Sequence, residues 1–239
     1  MRDELGLSPR FRAALWQVGP PDEQASKRMT PFWTITLVAF VVAIPFASFF
    51  EWILHRHVMH KPVGRFRYAF EAHALVHHRT FKADHTYHLI HEPDKWTIPM
   101  AWWNGPVLVM ISTVPFWVVA FLTGNWGWGV GAVLSIGLYY AAYESIHWCM
   151  HLPKARRLEQ AWVFRRLNGH HLLHHRYMRK NFNVVLPLAD LLLGTLMVRS
   201  KTRFAQATGP SVPDVQPREK KGVPGGSGPL ERKPLTAPR

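Results

Sequence analysis

Charged and uncharged stretches alternate in blocks along this chain, and the block lengths predict its elements. Residues 29–50 form a run of 22 without a charge, and residues 96–143 form a run of 48. A helix rises about 1.5 Å per residue and the hydrocarbon core of a bilayer is about 30 Å thick, so one span needs about 20 residues. The first run predicts one span, over 31–54, in which Pro45 is tolerable as a kink because neighbouring helices satisfy the freed backbone. The second predicts two spans, over 105–123 and 128–143, with Gly124, Asn125, Trp126 and Gly127 as the turn between them. Trp96, Trp102 and Trp103 stand where the second span enters the headgroup layer. A further apolar stretch, 184–198, is interrupted by Pro187 and Asp190 and is too short to cross. It predicts a helix at the interface or packed on the bundle. The expected fold is all-α, an integral membrane helical bundle of about three spans plus this interfacial helix. Its expected limits are 31–204, between a polar N-terminal arm (1–30) and a disordered, basic, Pro/Gly-rich tail (205–239).

Composition sharpens this picture. Hydrophobic residues make up 48% of the chain, yet the net charge is +14. Outside the tail, the cations gather mainly in two segments beside the apolar runs, 55–95 and 144–180. Lys and Arg flanking spans mark the cytoplasmic side, so both segments are expected there, on a multi-pass protein. No nucleic-acid-binding motif accompanies the charge, which excludes that class. The one cysteine, Cys149, excludes an intrachain disulfide framework and reads as a small apolar filler. The first apolar run begins near residue 30, too late for a signal peptide.

The same two segments hold the candidate chemistry. Ten histidines fall into four clusters: His55 and His60; His73, His77 and His78; His147 and His151; His171, His174 and His175. A hairpin that leaves and returns would bring the clusters together on one membrane face. Residues three or four apart share a helix face, which pairs His73 with His77, His147 with His151, and His171 with His174 and His175. Adjacent His77 and His78 diverge by about 100° and suit two neighbouring metals better than one. His55 and His60 do not align on a regular helix, so that stretch loosens or serves two centres. Imidazole suits Zn, Fe, Cu and Ni alike, so the set predicts a two-metal site without choosing the ion. Glu144, one turn before His147, and His170, beside His171, are candidates to support the ligands rather than bind metal. His57, His85, His88 and His91 fit the pattern less well, and Asp190 reads as a group that caps or docks the last helix.

Taken together, these boxes resemble the fatty acid hydroxylase superfamily of membrane histidine-box enzymes, which includes sterol desaturases, acyl-chain hydroxylases and carotenoid hydroxylases. The matching residues are Glu51-Trp52 with His55 and His60, the His73 to His78 cluster, His147 with His151, and His171 to His175. The stretch from Asn181 to Thr195, with Pro187, Asp190, Gly194 and Thr195, resembles the ending that follows the last box. The match covers about residues 31–200. It implies a helical membrane bundle with a cytoplasmic His-rich di-metal cap holding two irons, with zinc conceivable in a purified form. It implies an O2-dependent lipid hydroxylase of monooxygenase type, with an acyl lipid the favoured substrate. The sequence has no room for the fused cytochrome-type domain of some relatives, so a separate electron donor of reductase, ferredoxin or cytochrome type is implied. A lipid or sterol desaturase on the same scaffold is the alternative. A membrane metal-binding or transport protein is the alternative of another class. Transport predicts polar ligands near the bilayer midplane, whereas these histidines lie outside the uncharged runs.

Overall fold

The computed structural model describes residues 23–198, with side chains from residue 31. The arm up to residue 22 and the expected tail lie outside the described residues. Among the described residues there are helices and no strand, with one isolated bridge between Val63 and Phe66. Three long helices dominate: α1 (Glu23–Leu54), α2 (Asn104–Thr123) and α3 (Gly127–His151). Two shorter ones follow, α4 (Trp162–Arg176) and α5 (Leu188–Leu192).

Small residues set the α1–α3 contact. Ala39, Ala43 and Ala47 recur every four residues along α1 and are buried. On α3, Gly131 lies so close to α1 that a Cβ there would stand 2.2 Å from the Thr36 carbonyl oxygen. Such small-residue stripes let helix backbones approach where no hydrophobic effect drives them together. Phe116 of α2 closes the cluster with Ala132 and Ile136 of α3. The α2–α3 turn falls where the sequence predicts it, with Gly124 in the left-handed region at φ 67°.

Pro31–Met59 and Asn104–Thr123 are each long and apolar enough to cross a membrane. Their outer faces stay apolar: Phe121 and Leu122 are each 76% exposed. The third expected span does not meet the same measure, for its helix carries several Gly and Tyr residues and ends in polar ones. The reason is its place in the bundle. Helix α3 packs against both α1 and α2, so much of its surface meets protein. Helix α1 begins at Glu23, earlier than expected. The expected helix over 184–198 shrinks to the five residues of α5, and the rest of that stretch is irregular and tied down by Asp190.

Two segments leave α-helical geometry at the histidines. His55–Met59 and Glu71–His77 are π-helical. The π-helix bonds residue i to i+5, and such bulges concentrate at functional sites. Here the bonds run from the His60 N–H to the His55 carbonyl, and from the His78 N–H to the His73 carbonyl. Histidines five apart are thereby brought onto one face.

Candidate metal centre

All ten boxed histidines converge at one end of the bundle, in two groups of five. The first group is His55, His60, His73, His78 and His174; the second is His77, His147, His151, His171 and His175. Within each group the candidate ligand atoms lie within 4.8 Å of one another. The partition corrects the pairing expected from α-helical spacing. His73 separates from His77 and joins His78 through the π turn, and His174 separates from His171 and His175. His55 and His60 fall in one group, because the stretch loosens into a π turn, the first of the two alternatives expected for it. The adjacent pair His77–His78 does divide between the groups, as expected, and so does His174–His175.

The ring geometry carries the chemistry. In the first group, Nε2–Nε2 separations are 2.9 Å for His55–His73, 3.1 Å for His73–His78, 3.1 Å for His60–His174 and 3.2 Å for His78–His174. In the second they are 3.2 Å for His77–His147, 3.1 Å for His151–His171 and 3.0 Å for His171–His175. Two nitrogens each about 2.1 Å from one ion and at right angles to each other stand about 3.0 Å apart. The opposite nitrogens fix which atom is free to ligate. A carbonyl only accepts, so an Nδ1 facing one carries the proton and leaves the Nε2 lone pair bare. His55 Nδ1 donates to the Phe182 carbonyl, and His174 Nδ1 to the Lys180 carbonyl at 2.8 Å. In the second group His77 donates to Thr97 at 3.2 Å, His151 to Tyr87 at 2.8 Å and His175 to Phe81 at 2.6 Å. The 180–182 stretch thus orients the first group, and the 81–97 loop orients the second.

These rings are poor bases here. Burial first, and neighbouring imidazoles second, hold His73, His78, His171 and His175 well below the ordinary histidine value. Burial, then the His60 ring, lowers His174 to about 3, and burial lowers His60 to about 4. At neutral pH the set is uncharged, as ligation requires. Five rings thus present bare Nε2 lone pairs to their groups, at the separations that two ligands of one ion take. The donor set therefore fits two metal ions, one for each group of five.

Two buried carboxylates brace the first group. Glu51 accepts from the Tyr139 hydroxyl at 2.6 Å, Asn183 Nδ2 at 3.0 Å and the Val184 N–H at 2.7 Å. Asp190 accepts from the Phe182 N–H at 2.9 Å, the Asn183 N–H at 2.7 Å and the Thr195 hydroxyl at 2.6 Å. Burial pushes Asp190 up, but its donors, His170 foremost, outweigh that and leave it below the ordinary carboxylate range. Together the two acids hold the peptide whose Phe182 carbonyl aims His55. His170 sits 3.1 Å from Asp190 and so supports this brace. Glu144 has a different partner from the one expected: it accepts from the Tyr140 hydroxyl at 2.7 Å rather than from a histidine ring. His57, His85, His88 and His91 are exposed and outside both groups. Asn181, at φ 57°, was not singled out by sequence, yet its Nδ2 donates to the His170 and Met197 carbonyls. Its residue type is the one hint in the sequence, since Asn is enriched in the left-handed conformation.

Dihydroceramide fatty acyl 2-hydroxylase of Arabidopsis thaliana is 27% identical to this chain over 169 residues. The chain is similar to a fatty acid hydroxylase. The resemblance carried by the histidine boxes is thereby borne out. The similarity covers 70% of this chain and 63% of that protein, so the chain spans less than two thirds of the relative's length. No family model matches the chain, and no solved structure matches it.

Proposed function

We infer that the protein is an integral membrane, O2-dependent lipid hydroxylase. The observation that carries this reading is the double set of five imidazoles with Nε2 atoms turned inward. We assign all ten as ligands of two iron ions. Bound there, the irons supply dioxygen activation and the oxidising power to attack an unactivated C–H bond. The protein's own contribution is to hold five of the rings in one tautomer, keep the set neutral, and wall the site with Phe81, Tyr87 and Phe182, all buried. Excluding water in this way protects a reactive site.

The lipid part of the reading rests on a narrow apolar cleft between the three long helices. Leu108, Val109 and Ile136 line its depth, and His55 lines its end. An acyl chain entering from the bilayer side would point its carbons at the first group. Similarity to a fatty acyl hydroxylase supports hydroxylation over desaturation and an acyl lipid over a sterol. The ten histidines all lie outside the uncharged runs 29–50 and 96–143, which supports an enzyme over a transporter. The reading includes three spans, with α3 the shielded one, and the basic histidine segments on the cytoplasmic face. It also includes a separate electron donor. The test compares lipids extracted with and without expression, under 18O2. A lipid gaining one labelled oxygen is expected. A product that loses two hydrogens and carries no label would replace this reading with a desaturase.

A further inference from the structure

A second cavity, of about 720 Å³, opens beside the first histidine group. Its rim carries Arg56, Lys61, Arg79 and Arg179, and its lining includes His60 and His78 of that group. No acidic side chain lines it. Arg56 is already held in place, its guanidinium 4.7 Å from the Trp52 ring and 5.8 Å from that of Phe182. Cations that merely face a cytoplasmic leaflet are spread over loops. These four converge on a concavity of small-molecule size, with ligand imidazoles within it. A docked electron-donor protein would need a broad, flatter face. Guanidinium groups match carboxylate and phosphate oxygens two at a time.

We propose that this cavity binds the anionic headgroup, carboxylate or phosphate, of an acyl lipid. The inference rests on the lipid-hydroxylase reading and narrows its substrate class. Both the cavity and the apolar cleft border the short His55–Met59 segment: Arg56 faces the cavity, and His55 and Met59 face the cleft. A lipid with its head in one and its chain in the other presents carbons near the head to the first group.

The test measures binding of decanoate, decyl phosphate and decanol to the purified protein in a neutral detergent. At least one anion is expected to bind about tenfold or more tightly than decanol, the gain of a charge-assisted pair. The tighter anion identifies the headgroup. The Arg79→Gln/Arg179→Gln variant is expected to bring anion and alcohol within about twofold while keeping its metal, since both residues are exposed. Equal binding of all three probes, or a preference unchanged in the variant, overturns the proposal and leaves the rim to a protein partner. Binding is read without turnover. Selective binding without oxygen insertion would therefore sink the hydroxylase reading alone. Equal hydroxylation of anionic and neutral lipids would sink this proposal alone.

Discussion

The two histidine groups use the same five-imidazole donor set in different surroundings. The first lies between the apolar cleft and the basic cavity, and its His60 is only partly buried. The second is buried at every ring, and its members line neither of those two spaces. The first takes its orienting carbonyls from a stretch braced by Glu51 and Asp190; the second takes them from the 81–97 loop. Identical ligands can thus be given separate access and separate support. On the proposed function, the first group is the one that meets substrate, while the second stays sealed.

The largest effect expected is from removing ligands. His73→Ala with His174→Ala takes two of five donors from the first group, and hydroxylated product should fall below detection by mass spectrometry. Persistent product would remove that group from the chemistry. Next come the braces. Glu51→Gln sets an amide N–H against donors it replaced an acceptor for, and Asp190→Asn does the same. Each is expected to weaken metal binding at the first group by about 10- to 100-fold and to leave the second occupied. Equal loss from both groups would reduce these acids to a general structural role. A smaller effect is kinetic: a strong chelator should remove metal in two phases, the first group emptying sooner. A single phase would erase the proposed difference in access.

The sequence carried this comparison only in part. The ten imidazoles were legible because a histidine box is visible as residue type and spacing. Their partition was not, because α-helical spacing paired His73 with His77 while the π turn pairs His73 with His78. The orienting carbonyls were invisible in principle, since every residue has one and only the fold selects Phe182, Lys180, Thr97, Tyr87 and Phe81. Glu144 was the acid expected to support a ligand, for being one turn from His147. Glu51 proved to be the acid that reaches the 182–184 peptide. The three long helices were legible as uncharged length, but the shielding of α3 depends on packing that length does not encode.

The smallest effect expected is on stability. In metal-free protein, His174 protonates at about 3 when folded, but at about 6.5 when unfolded. Below about pH 6.5 the unfolded chain binds the extra proton, so the fold loses stability as pH falls, down to about pH 3. At pH 5 this one ring costs about 2 kcal/mol. Thermal unfolding of the metal-free protein should therefore shift downward between pH 7.5 and pH 5, and metal added at pH 7.5 should raise the unfolding temperature there. An unfolding temperature that rises on acidification would contradict the buried, neutral imidazoles.

The most direct test of the central claim is a metal count by elemental mass spectrometry on purified protein. Two ions per chain are expected, falling to one in the His73→Ala/His174→Ala variant. One ion per chain before substitution, or two retained after it, would contradict a pair of centres built from five histidines each.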